Sequence, residues 1–136
     1  MYDPVMVEPM RRELVQAGVK ELKTAEEVDK ALSQPSTTLV VVNSVCGCAA
    51  GGARPGVIKA IQHSKKPTQI TTVFAGQDKD ATERARSYFL GYPPSSPSVA
   101  LLKDGEVVFM LQRKDIEGFS ADQISEKLTA AFDLYC

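Results

Sequence analysis

At 136 residues, with 43% hydrophobic and 24% charged side chains, the chain suits one domain with its own core and has the composition of a folded globular protein. A net charge of −1 removes any electrostatic case for nucleic acid or an anionic membrane as main partner. The amino terminus has neither a basic leader nor an apolar segment, and no run approaches the roughly 18 to 20 apolar residues that span a bilayer, so a cytoplasmic protein is expected.

In chain order, Asp3-Pro4 sets an N-cap before a proline at the first helical position, and Met6, Met10, Leu14 and Ala17 share one helical face. Pro9 is expected to kink or restart this helix, and Gly18 to end it. Val19–Leu22 is a short strand candidate; Thr24 and Glu27 form a capping box for a helix that buries Val28, Ala31 and Leu32 and stops near Pro35. Thr38–Val45 is apolar without alternation, the pattern of a strand covered on both faces. Pro55 opens a further helix with Val57, Ile58 and Ile61 inward, broken by Lys65-Lys66-Pro67. A strand over Gln69–Ala75 precedes a helix capped by Asp78 that runs to Phe89, with Ala81 and Ala85 inward and Gly91 closing it.

The loop Tyr92–Pro97 leads into the strand Ser98–Lys103, and Asp104-Gly105 turns it into the antiparallel strand Glu106–Leu111. Ser120 and Gln123 then cap a last helix that buries Ile124, Leu128, Ala131, Phe132 and Tyr135. Alternating helices and strands give an α/β fold, a mixed central sheet flanked by helices with an antiparallel edge. In such sheets chemistry lies beyond the carboxyl ends of the strands, where Cys46-Gly47-Cys48 falls.

A thiol reacts as thiolate, and a position just before a helix favours that form through free N–H groups and the helix dipole. Cys46 is so placed, and a Cys46–Cys48 disulfide requires an irregular turn, for which Gly47 is expected to supply the backbone freedom. A ring closed across one residue is more strained than one closed across two, so the pair is expected to be easily reduced, suited to exchange or isomerisation and to attack on mixed disulfides. Metal chelation is the competing chemistry: a closed zinc site needs four ligands, and His63 and Cys136 are the only other cysteine or histidine candidates. Burial of both thiols as small hydrophobes is the structural alternative.

His63 reads as an exposed residue near a helix end, and Cys136, the terminal residue, as inert or able to reach the active site or another molecule. Arg54 either helps hold a thiolate or an anionic substrate group, or is a solvated surface arginine. Asn43 and Ser44 either donate hydrogen bonds near the site or satisfy the strand end. The Pro93-Pro94-Ser95-Ser96-Pro97 loop exposes backbone for an extended substrate if it holds a cis proline, though trans is the commoner form.

The element order, with Ser96–Glu106 as its proline strand and turn, resembles the thioredoxin fold with an additional N-terminal helix: a single domain over 1–136 with residues 1–18 as the extension. More specifically, Val42–Gly51 with Cys46-Gly47-Cys48, Ala53-Arg54-Pro55, and Tyr92-Pro93-Pro94-Ser95-Ser96-Pro97 resemble the bacilliredoxin family over essentially the whole chain. The resemblance implies a thiol–disulfide oxidoreductase that removes bacillithiol from S-bacillithiolated cytosolic proteins. It makes Cys46 the nucleophile, Cys48 the resolving thiol, Pro97 a cis proline facing them, and Ser96 the residue before it that presents backbone to the substrate; with these, Gly47, Ser96, Pro97 and Arg54 are the expected substrate-binding residues. It implies no bound cofactor or metal and bacillithiol as co-substrate; the expected partners are bacillithiolated client proteins, bacillithiol and an NADPH-dependent flavin reductase acting on bacillithiol disulfide, with no nucleic acid or membrane. The alternatives are a general protein disulfide isomerase or oxidase and a metal- or cluster-binding module using Cys46 and Cys48.

Overall fold

A computed structural model describes all of residues 1–136. In chain order the elements are α1 (Pro4–Gln16), β1 (Lys20–Glu21), α2 (Ala25–Leu32), β2 (Thr37–Asn43), a π-helical turn (Ala49–Ala53) continuing into α3 (Arg54–Ala60), β3 (Gln69–Phe74), α4 (Lys79–Ser87), β4 (Ser98–Lys103), β5 (Glu106–Leu111), α5 (Arg113–Ile116) and α6 (Ala121–Tyr135). The sheet order is β1-β3-β2-β4-β5. β1, β3 and β2 run parallel, while on the other side of β2 the strand β4 pairs antiparallel with it and β5 pairs antiparallel with β4.

The absence of alternation in β2 has the expected cause: both faces are covered. Leu39 and Val41 join Leu14, Val57, Leu101, Ile124, Leu128 and Phe132 in one core. Val40 and Val42 join Val28, Leu32, Ala81, Ala85, Phe89 and Leu102 in the other. Burial of these aliphatic side chains, at about 1.5–3 kcal/mol each, dominates the stabilisation of the sheet. Thr24 and Ser120 cap α2 and α6 through the backbone N–H groups of Glu27 and Gln123.

Several local expectations are corrected by packing. Asp3 caps α1, but the helix runs unbroken through Pro9, which lies on the solvent side where water can serve the carbonyl its missing N–H leaves free. Its inner face is set by Val7 and Leu14, with Met10 and Ala17 half-buried and Met6 exposed. Asp78 precedes α4 without capping it, because Arg11 takes its carboxylate in a two-pronged pair at 2.7 and 3.0 Å. Such a charge-assisted pair outweighs a single cap bond. Helix α4 ends at Ser87 rather than Phe89, and α3 ends at Ala60. The short α5 is not among the expected elements; its signal is a reciprocal cap between Gln112 and Asp115, which brings Ile116 into the core.

The turn and α3 approach α6 closely enough that side-chain bulk is excluded. A Cβ on Gly56 would stand 2.7 Å from Ile124 Cγ2 and 3.2 Å from the Ala121 carbonyl oxygen. Gly56→Ala is therefore expected to destabilise the protein by about 1–3 kcal/mol, measured by urea unfolding. An unchanged midpoint would show that α6 yields freely.

Candidate functional site

The site begins where β2 stops, at Asn43, two residues earlier than its apolar pattern implies. The side chain of Asn43 ends the strand: its Oδ1 accepts from the Ser44 N–H at 2.9 Å, and its Nδ2 donates to the Met10 carbonyl at 3.2 Å. Ser44 carries the turn onward, its Oγ accepting the Cys46 N–H at 3.2 Å. The Cys46 carbonyl then accepts from the N–H groups of Ala49 and Ala50, so the chain winds into a helix immediately after Cys46. That first wide turn is built of alanine and glycine, and Gly52 within it nests against Ile124.

Cys46 and Cys48 are joined as a disulfide, their Cα atoms 5.5 Å apart. Both are half-buried; Cys48 packs against the core that α3 and α6 share, while Gly47 is exposed. Gly47 is not in the left-handed region, and a Cβ there would meet nothing within 4 Å. The turn is thus one that other residues can make. What glycine leaves is open space beside the sulfurs. The free N–H groups of the helix start stabilise negative charge on a thiolate at Cys46.

Arg54 is 3% exposed, not a solvated surface arginine. Its Nη1 donates to Asn43 Oδ1 at 3.0 Å and to the Ser44 carbonyl at 2.9 Å, and its Nε to Glu13 Oε1 at 3.0 Å. One guanidinium therefore ties α1 to the strand end and to the loop that carries Cys46. No local pattern in the sequence marks Glu13, because its partner lies 41 residues away.

The Ser96-Pro97 peptide is cis. Pairing of Ser98 with Val42 sets Pro97 alongside Asn43, so Ser96 and Pro97 adjoin the cysteine loop across the sheet. Cys136 does not join them. Its thiol lies by Thr37 at the opposite end of β2, roughly 20 Å away along a seven-residue strand. Burial pushes its pKa up, against the opposing effects of Thr37, Lys103 and Lys65. His63 is half-buried rather than exposed, its Nε2 2.8 Å from Asp133 Oδ1 on α6. The cysteine and histidine named for metal binding beside Cys46 and Cys48 therefore stand apart from them within one chain.

The family described as "Disulphide isomerase" matches residues 2–136. A bacilliredoxin of Geobacillus kaustophilus is 58% identical over 136 residues, covering 100% of this chain and 93% of the relative. Another, from Koribacter versatilis, is 56% identical over 137 residues, covering 100% and 94%. The chain belongs to the bacilliredoxin family. The fold is equally clear: oxidised mitochondrial thioredoxin 3 of Saccharomyces cerevisiae superposes with a TM-score of 0.60 at 14% identity, over 89% of this chain and 97% of that one. Spinach chloroplast thioredoxin f gives 0.58 at 16% identity over 92% of both chains. This bacilliredoxin-family chain is a thiol–disulfide oxidoreductase with a thioredoxin fold and an additional N-terminal helix.

Replacing Arg54 by Met removes charged hydrogen bonds from buried acceptors and is expected to cost about 1.5–3 kcal/mol of stability. Glu13→Gln, at a more exposed partner, is expected to cost less. Equal urea midpoints for wild type and Arg54→Met would contradict this account of the strand end.

Proposed function

We propose that the chain removes bacillithiol from S-bacillithiolated proteins. The observation that carries this reading is the Cys46-Gly47-Cys48 disulfide at a helix start, with open space at Gly47 and the Ser96-Pro97 backbone beside it. The names of the relatives support the choice of thiol.

In this scheme the Cys46 thiolate attacks the bacillithiol sulfur of a client mixed disulfide. The S–S bond to the client breaks, the client cysteine leaves as thiolate, and Cys46 holds bacillithiol as a new mixed disulfide. Cys48, packed against the core behind the exposed turn, then attacks the Cys46 sulfur. Bacillithiol leaves as thiolate and the Cys46–Cys48 disulfide forms, with electrons conserved at each exchange. Two further bacillithiol molecules reduce that disulfide and become bacillithiol disulfide, the substrate of an NADPH-dependent flavin reductase as partner. Ser96 and Pro97 align an extended client segment, Gly47 leaves room for it, and Arg54 holds the Ser44 carbonyl so that the Cys46 loop keeps its shape. The setting proposed for this cycle is the cytoplasm; no helix is long and apolar enough to cross a membrane.

A second reading, isomerisation or oxidation of ordinary protein disulfides, is favoured by the "Disulphide isomerase" description of the matching family. Rates on a bacillithiolated client and on the same client with an intramolecular disulfide separate the two.

Cys46→Ala is expected to abolish bacillithiol release, and Cys48→Ala to leave an adduct on Cys46 that mass spectrometry detects and free bacillithiol resolves. Full activity of Cys46→Ala would refute the mechanism. Gly47→Ala is expected to keep both fold and disulfide, with thermal unfolding and thiol titration as the checks.

A further inference from the structure

Five of the six arginines hold a carboxylate: Arg11 binds Glu21 and Asp78, Arg12 binds Glu8, Arg54 binds Glu13, Arg84 binds Asp29 and Arg113 binds Glu117. Arg86, on α4, holds none. Its Nη2 donates to the Ser95 carbonyl at 3.3 Å, while its Nε is fully buried without a hydrogen-bond partner. Phe89, Tyr92 and Met110 help close a small pocket with Arg86 on one side, and no acidic side chain lines it. A buried donor left unpaired costs about 1–3 kcal/mol, and a cation without a counter-charge adds to that. Burial accordingly lowers the pKa of the guanidinium.

Arg86 also lines a cleft of about 340 Å³, with Lys79, Glu83, Gly76 and Pro94 among its walls. Glu83 is the only acid there, so Lys79 and Arg86 leave the cleft one positive charge in excess. The walls belong to the active end of the sheet. Gly76 follows Phe74, the partner of Asn43 in the parallel ladder, and Pro94 precedes Pro97 by three residues.

We infer that this cleft is a carboxylate subsite, in which Arg86 with Lys79 binds an acidic group of the low-molecular-weight thiol that Cys46 removes. The inference rests on the proposed transfer of such a thiol and names the chemical class its binding selects. Arg86 is a specificity residue here: a carboxylate supplies the counter-charge the protein withholds.

The test uses the full chain and a one-cysteine client carrying either mercaptosuccinate, with two carboxylates, or neutral 2-mercaptoethanol in disulfide linkage. Arg86→Gln is expected to raise KM for the mercaptosuccinate adduct by about tenfold or more, as loss of a charge-assisted hydrogen bond does. The neutral adduct should change by less than about twofold at equal kcat, and Arg86→Lys should recover part of the loss. Equal losses on both adducts, or no loss on either, overturn the subsite. Should Arg86→Gln not fold, Lys79→Gln on the exposed wall must show the same selectivity in weaker form, and its absence is equally fatal. Succinate titration, followed by the Nε–Hε resonance of Arg86, reads the subsite without turnover. If wild type processes neither adduct but succinate shifts that resonance, the transfer reading fails and the subsite stands; no shift with normal turnover has the opposite meaning.

Discussion

The buried guanidinium of Arg54 is the contact on which the site depends. A charge removed from water is tolerable only when its donors are matched, and Arg54 has Glu13, Asn43 Oδ1 and the Ser44 carbonyl around it. Each acceptor belongs to a different part of the site: the added helix α1, the end of β2, and the loop leading to Cys46. Asn43 is doubly used, since its amide also donates to Met10 on α1. The N-terminal helix is thereby part of the frame that holds the cysteine loop and not an appendage on a thioredoxin fold.

That frame sits on a sheet whose two cores leave β2 little freedom. Leu39 and Val41 face one core while Val40 and Val42 face the other, so a shift of one residue would exchange every buried side chain between faces. The strand end, and with it the thiols, is fixed to that register. The turn after Cys46 needs small residues for a second reason: Gly52 and Gly56 lie against Ile124, which lets α6 press on the helix that follows the cysteines. Rigidity behind the thiols and open space at Gly47 are the combination a thiol-exchange site requires.

Much of this was legible along the chain. The unalternated run of β2, the Asp104-Gly105 hairpin, and the caps at Asp3, Thr24 and Ser120 stand where short-range chemistry puts them. Where local rules fail, a distant charge intervenes or packing selects a different helical face. Asp78 satisfies the composition of a cap but is held by Arg11, 67 residues away. Met6 shares a helical face with Leu14 in projection, yet Val7 is the residue α1 turns inward. Gly47 is expected to supply backbone freedom to the turn, whereas its backbone is ordinary and its neighbourhood empty.

The sequence by itself determined the order of the strands and of the longer helices, the central strand, the cysteine pair at its carboxyl end and the family to which that motif belongs. Periodicity, capping and turn chemistry act within a few residues, so they can be read without a fold. Only the tertiary structure decided that Arg54 is buried and shared among three segments, that Cys136 lies at the far end of β2, and that Arg86 stands without a carboxylate beside the Ser96-Pro97 loop. Those outcomes depend on which charges packing brings within about 3 Å and which it shields from water, and no spacing along the chain encodes them.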